Sequence, residues 1–471
     1  MTLCPNMKTT LLLSLLLLCL PAVRAEEPSP GIVNLSVRCL KDSNHTYALY
    51  IPSYYNDDPY LEWPVIYAFD AAARGSLPVE LYREAAEKYG YIVAGSNISE
   101  NGPWEPILKA AETMMNDVES RFRVDKARRY TTGFSGGARV ATTLAVLYGT
   151  FEGVIGCGAG FSPNYPPHFD LEICYYGLIG DRDFNYLEMR RLDDWLEKFN
   201  IDHHIHEFSG GHEWPPAEVL TNAVIWLEFK AMKNELKWTD YGMREDYYED
   251  RLGLINSLIN QGNYYFAFNE ATELKSYLGG VRKLEEVDAI INELKGNADV
   301  REKSANLRRI LEEERTYHRE YMDAFAGYKR NYEDGMTPVK PLSWWKEQVK
   351  IANGKIEKSE DHMEYLLGRR MIDFMWRTAY QQYEAILGTE FEPVARNYLE
   401  IWSLVQPDAI SPYYFLAKFY TSQGKYTKAL DNLDEAIDRG LNDPALIEND
   451  TILVRLIGLP EYVPVGARIK E

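Results

Sequence analysis

The chain has 471 residues, with 71 acidic side chains against 51 basic ones and a formal net charge of −20. So acidic a balance argues against nucleic acid or an anionic membrane as partner, because repulsion would oppose each encounter. The length leaves room for two or three domains, and five cysteines in so long a chain exclude a disulfide scaffold.

Lys8 precedes an apolar run from Leu11 to Leu20, and Val23, Arg24 and Ala25 follow where a signal peptidase would cut. Residues 1–25 therefore read as a signal peptide, and the mature chain is expected to be secreted or periplasmic. The run is too short to span a bilayer, and no later stretch is long and apolar enough to do so. Loss of the leader removes Lys8 and Arg24 but no acid, so the mature chain is more acidic still. Its cysteines are Cys39, Cys157 and Cys174, an odd number that suggests buried thiols. No CxxC and no paired His/Cys cluster supports a structural zinc site.

From residue 26 to about 232, short apolar runs alternate with helical patterns. Strands are expected over His45 to Ile51, Pro64 to Phe69, Tyr91 to Gly95, Tyr130 to Gly133, Gly153 to Gly158, Ile173 to Ile179 and His203 to Phe208. Helices are expected over Pro106 to Arg121, Ala138 to Leu147, Tyr186 to Phe199 and Ala217 to Met232. That alternation predicts an α/β domain whose mostly parallel sheet is covered on both faces, with its site at the carboxyl ends of the strands. His203, His204 and His206 alternate as the edge of a solvated strand would, so a metal site is not expected there.

Three loops after strands carry chemistry. Gly133, Ser135 and Gly137 make G-x-S-x-G between a strand and a helix, a turn in which glycines relieve crowding while the serine hydroxyl is lifted above the sheet. The same turn aims the N–H of Gly136 at an oxyanion. After the strand ending near Ile179 come Asp181 and Asp183, either of which can orient a base. After Phe208 comes Ser209-Gly210-Gly211-His212, which supplies that base. Trp214 stands beside it, placed either to line an acyl or alcohol pocket or to pack in the core.

Residues 233–250, rich in charge and aromatics, are expected to link this domain to a second one over 251–471. There the strand signal fades and amphipathic helical patterns take over, as in Asp299 to Arg330 and Pro412 to Arg439. The spacing G-x-Y-x-x-A recurs at Gly262 to Ala267 and Gly424 to Ala429. With Tyr413, Leu416, Ala417, Tyr420, Leu433 and Ala436 in frame, residues 411–441 resemble a tetratricopeptide repeat, which implies a concave helical surface for a protein or peptide partner.

The segments IYAFDAAARG (66–75), GFSGGAR (133–139), GDRDFNYLEM (180–189) and GGHEWPP (210–216) resemble exported α/β-hydrolase esterases of the dienelactone hydrolase, feruloyl esterase and polyhydroxybutyrate depolymerase kind. The resemblance covers residues 36–232. It implies serine-dependent hydrolysis of small-molecule or polymer-linked carboxylic esters without cofactor or metal, with Ser135, Asp183 and His212 as catalytic triad. It favours Asp183 over Asp181 by its offset from Gly180. Many relatives carry His-Gly after the third strand, where a second oxyanion donor lies; Phe69-Asp70-Ala71 stands here, which leaves the N–H of Ala71 as the candidate. A serine peptidase or acyltransferase would use the same triad. A helical-repeat binding protein with a scaffold hydrolase domain is the reading from a different class.

Overall fold

The computed structural model describes residues 28–168 and 170–469; the leader expected over residues 1–25 lies outside them. Eight strands form one sheet: β1 (Asn34–Arg38), β2 (Thr46–Tyr50), β3 (Trp63–Asp70), β4 (Ile92–Ser96), β5 (Val124–Phe134), β6 (Gly153–Cys157), β7 (Cys174–Gly180) and β8 (Asp202–Phe208). They lie in the order β1-β2-β4-β3-β5-β6-β7-β8. β2 runs antiparallel to β1 and β4, and every later neighbouring pair is parallel. Parallel pairs need crossovers. Helices α1 (Ser76–Tyr89), α2 (Trp104–Arg121), α3 (Gly136–Tyr148) and α4 (Tyr186–Lys198) supply all but the connection from β6 to β7, which is a loop, and α5 (Ala217–Lys233) follows β8. This is the strand arrangement of the α/β-hydrolase fold.

The central strands are apolar throughout because both faces are covered. In β3, Val65, Tyr67 and Phe69 enter one core with residues of α2, α3 and α4, while Ile66 enters the opposite core with residues of α1 and α5. Two elements carry too little signal for sequence reading. β1 is a polar edge strand with two exposed residues at its middle, and α1 has Pro78 in its first turn. β5 starts at Val124, six residues before the expected Tyr130; exposed Lys126 and Ala127 interrupt the apolar run on this side.

The second half is all helical: α6 (Tyr241–Asn260), α7 (Tyr264–Leu278), α8 (Glu285–Lys295), α9 (Ala298–Asp334), α10 (Leu342–Lys358), α11 (His362–Ile386), α12 (Ala395–Val405), α13 (Ile410–Ser422) and α14 (Tyr426–Asp438), with short helices beyond. The expected linker over 233–250 is mostly helix, since Asp240 accepts a hydrogen bond from the Met243 N–H at 2.9 Å and starts α6 there. Two of its aromatics pack, since Tyr248, with Tyr247 beside it, joins a core with Trp226 of α5 and Tyr277 of α7, while Trp238 and Tyr241 stay exposed. Both glycines of the G-x-Y-x-x-A spacing, Gly262 and Gly424, sit at positive φ in the turns between α6 and α7 and between α13 and α14. No helix among the described residues is long and apolar enough to cross a membrane.

The three histidines of β8 are not a solvated edge. α7 covers this strand, and His204 packs between the rings of Tyr176 and Tyr277 at centroid distances of 5.2 and 5.7 Å. Sequence spacing could not reveal a helix arriving from about seventy residues further on.

Candidate active site

Ser135 joins β5 to α3 with φ 55° and ψ −118°, a conformation that costs any residue with a Cβ. The surroundings enforce it. The Ser135 N–H donates to the Cys157 carbonyl of β6 at 2.9 Å, and its own carbonyl accepts from Ala138 and Arg139 in the first turn of α3. A Cβ on Gly137 would strike the carbonyl of Phe69, and one on Gly133 would strike Gly137, so the turn tolerates no side chain at either place. Gly136 is the first residue of α3 and has no intrahelical acceptor for its N–H.

The Ser135 Oγ lies 2.9 Å from His212 Nε2, and His212 Nδ1 lies 2.9 and 2.8 Å from the two oxygens of Asp183. The imidazole is held between rings as well, with Phe134 at 4.7 Å and Phe184 edge-on at 4.5 Å. Burial lifts the Asp183 carboxyl above its ordinary pKa, and the hydrogen bond and charge of His212 only partly reverse that. Asp181 has a different employment: its carboxylate accepts the Gly210 N–H at 3.1 Å, which ties the turn after β7 to the loop carrying His212.

Ala71 follows β3 opposite the serine turn, and its carbonyl accepts the Asn101 N–H at 2.8 Å. The side chain of Asn101 lies against Gly136, where any Cβ would collide with it. Asp70, fully buried, organises this corner by accepting Ala72 N–H at 2.9 Å, Arg74 through two bonds of 2.8 Å, and the Trp214 indole N–H at 2.7 Å. Burial pushes the Asp70 carboxyl up, but those bonds outweigh it and leave it below the ordinary value. Trp214 is thus anchored by its nitrogen while its ring stands 5.8 Å from Phe134, and it lines a cavity of about 510 Å³ together with His212.

Several residues of the site escape sequence reading. Asp70 and Arg74 are spaced as an ion pair could be, yet nothing local announces burial of the acid. Arg370 of α11 donates to the Asp181 carbonyl at 2.8 Å while gripping buried Glu314 of α9 through three bonds of 2.7 to 3.0 Å. The helical half therefore touches the acid turn directly, from a position almost two hundred residues away.

Among the described residues, His204, His206 and Glu273 bring one potential ligand atom each within 4.8 Å of one another. Glu273 is already paired with His206 at 3.4 Å and, through its other oxygen, with Arg251 at 3.4 Å. The three cysteines are free and buried, and burial pushes the Cys39 thiol up to about 12. A thiol so held is no nucleophile at neutral pH.

No protein-family model matches the chain, and no curated protein matches it. Among solved structures, it is similar to an S-formylglutathione hydrolase from Staphylococcus aureus at 14% identity, over 39% of this chain and 90% of that one, with a TM-score of 0.33. A ferulic acid esterase shares 14% identity over 42% of this chain and 95% of its own, with a TM-score of 0.35. A hyperthermophilic esterase from the archaeon Pyrobaculum calidifontis shares 10% identity over 44% and 88%, with a TM-score of 0.36.

Proposed function

We propose that the protein is a serine hydrolase that cleaves carboxylic esters through an acyl-enzyme, with Ser135 as nucleophile, His212 as base and then acid, and Asp183 as the group that orients the histidine. One observation carries the reading: the unbroken hydrogen-bond chain from Ser135 Oγ through the imidazole to Asp183, at 2.9 Å and then 2.8 to 2.9 Å. In the first half-reaction His212 Nε2 takes the hydroxyl proton as Oγ attacks the ester carbonyl. The N–H of Gly136, with that of Ala71 as second donor, stabilises the oxyanion. His212 then protonates the departing alcohol, and water repeats the cycle on the acyl-enzyme.

A fluorophosphonate probe and a short p-nitrophenyl ester test this together. The parent protein is expected to be labelled and to turn the ester over, and Ser135→Ala to do neither at an unchanged melting temperature. Asp183→Asn is expected to lower turnover by roughly ten-thousandfold, because the histidine loses its tautomer and orientation. Asp181→Asn should chiefly lower the melting temperature. Equal labelling of parent and Ser135→Ala would end the proposal and leave a binding role for the fold.

A further inference from the structure

A cavity of about 920 Å³ lies between the two halves of the molecule, beside the triad. Its walls on one side are Arg139 of α3, the loop after β6, and α4 with Phe184 and Asn185 before it; Phe184 follows Asp183 and also packs on His212 at 4.5 Å. Its other wall is helical: Arg315, His318, Arg319 and Met322 of α9, with Phe374 of α11. The floor is aromatic, since His318 stacks on Phe374 at 3.7 Å and 18°. Trp195 and Met322 leave 48% and 46% of their surface exposed at its edge, an apolar mouth that solvent alone does not explain.

The charge is the reverse of the molecule's. Four arginines, Arg139, Arg191, Arg315 and Arg319, line the cavity against one carboxylate, Glu188, in a chain whose net charge is −20. Arg139 is engaged with Glu188 at 2.8 Å, and Arg315 with Glu312 of its own helix at 2.6 Å. Arg191 and Arg319 have no acidic partner among the described residues, and they come from opposite walls, α4 and α9. An arginine without an acidic partner on each wall, beside an aromatic stack, offers the complement of a carboxylate on an apolar body.

We propose that this cavity binds an organic anion, a carboxylate attached to an aromatic or apolar group, with Arg191 and Arg319 as its charge partners. Where the serine-hydrolase reading holds, on which this consequence rests, the preferred substrates are esters whose acyl or alcohol part carries such an anion. The helical half then contributes specificity and no reacting atom.

The test measures binding to the whole protein of 3-phenylpropanoate and of its neutral counterpart, 3-phenylpropanamide. The carboxylate should bind about tenfold or more tightly than the amide at low salt, as two charge-assisted bonds would give, and the gap should narrow as salt rises. Both arginines are exposed, so the pair Arg191→Gln/Arg319→Gln opens no hole in a core, and it should bring the two Kd values together. The pair Arg191→Lys/Arg319→Lys should retain part of the gap. No binding of the carboxylate, equal Kd values in the parent, or a gap that survives in the glutamine pair would each overturn the proposal. Fluorophosphonate labelling, run in parallel, separates the two readings. A labelled protein without anion preference loses the cavity assignment alone, and an unlabelled one with the preference loses the hydrolase reading alone.

Discussion

At the scale of single residues, strain and burial mark what the surrounding structure has to hold in place. Ser135 carries a Cβ at φ 55° and ψ −118°, a region that glycine enters freely. Ser135→Gly should therefore raise stability by about 1–3 kcal/mol in chemical denaturation while abolishing turnover; an unchanged or lower stability would show that the turn is unstrained. His204 makes a second residue-scale prediction. Burial pushes its pKa down from 6.5 to about 4, against the raising influence of Glu273 and Asp193 and with the lowering ones of His206 and Lys230. The unfolded chain thus binds the proton first, so its share of stability is present above about pH 6.5 and lost as pH falls toward 4. Melting temperature against pH should be flatter over that window in His204→Gln than in the parent. The curve flattens only partly, because burial pushes His318 down to about 4 as well. Parallel slopes would mean that His204 is not held neutral in the fold.

At the scale of elements, the contact between α11 and the turn after β7 decides how far the halves depend on each other. Arg370 completes its donors on Glu314 and the Asp181 carbonyl, and its guanidinium lies 4.2 Å over the ring of Tyr186. Arg370→Met leaves buried Glu314 with only His318, 3.8 Å away, which should cost about 3–5 kcal/mol. Adding Glu314→Met removes the buried charge and should restore most of the stability, yet it cannot restore the hydrogen bond to Asp181. If the helical half positions the acid turn, turnover stays low in the double variant although its melting temperature recovers. Recovery of both would reduce Arg370 to a packing role.

At the scale of the molecule, the sheet and the first helices of the second half, α6 to α8, share one core, while α9 to α14 build a separate one. α5 packs Trp226 and Leu227 with Tyr248, Leu252 and Tyr277, and the hydroxyls of Tyr176 and Tyr277 meet at 2.6 Å. Lys230 adds a bond to the Ser276 carbonyl at 3.1 Å. A fragment of residues 28–233 exposes that apolar face and should aggregate or melt without cooperativity, whereas 28–296 keeps α6, α7 and α8 over it and should melt cooperatively. A cooperative transition in the shorter fragment would show that α6 to α8 are dispensable. The longer fragment lacks Arg370, so slower labelling of Ser135 is expected in it even when it folds.

What was legible in the chain is what local spacing encodes. The alternation of apolar runs with helical patterns implies a parallel α/β sheet, because parallel strands need crossovers. G-x-S-x-G between a strand and a helix is a turn that only glycines permit, and Asp183 and His212 stand in loops that such a sheet brings to one edge. The helical character of residues beyond α5 was legible too, from periodicity alone. Other features depend on which surfaces meet: the burial of His204 beneath α7, the bond of Trp214 to Asp70, the reach of Arg370 to the acid turn and the arginine-lined cavity between α4 and α9. Each of these joins residues far apart along the chain through side chains whose local pattern is ordinary. Periodicity reports the face that an element will bury, but not the partner that buries it, and so only the tertiary structure decided what the helical half does at the edge of the sheet.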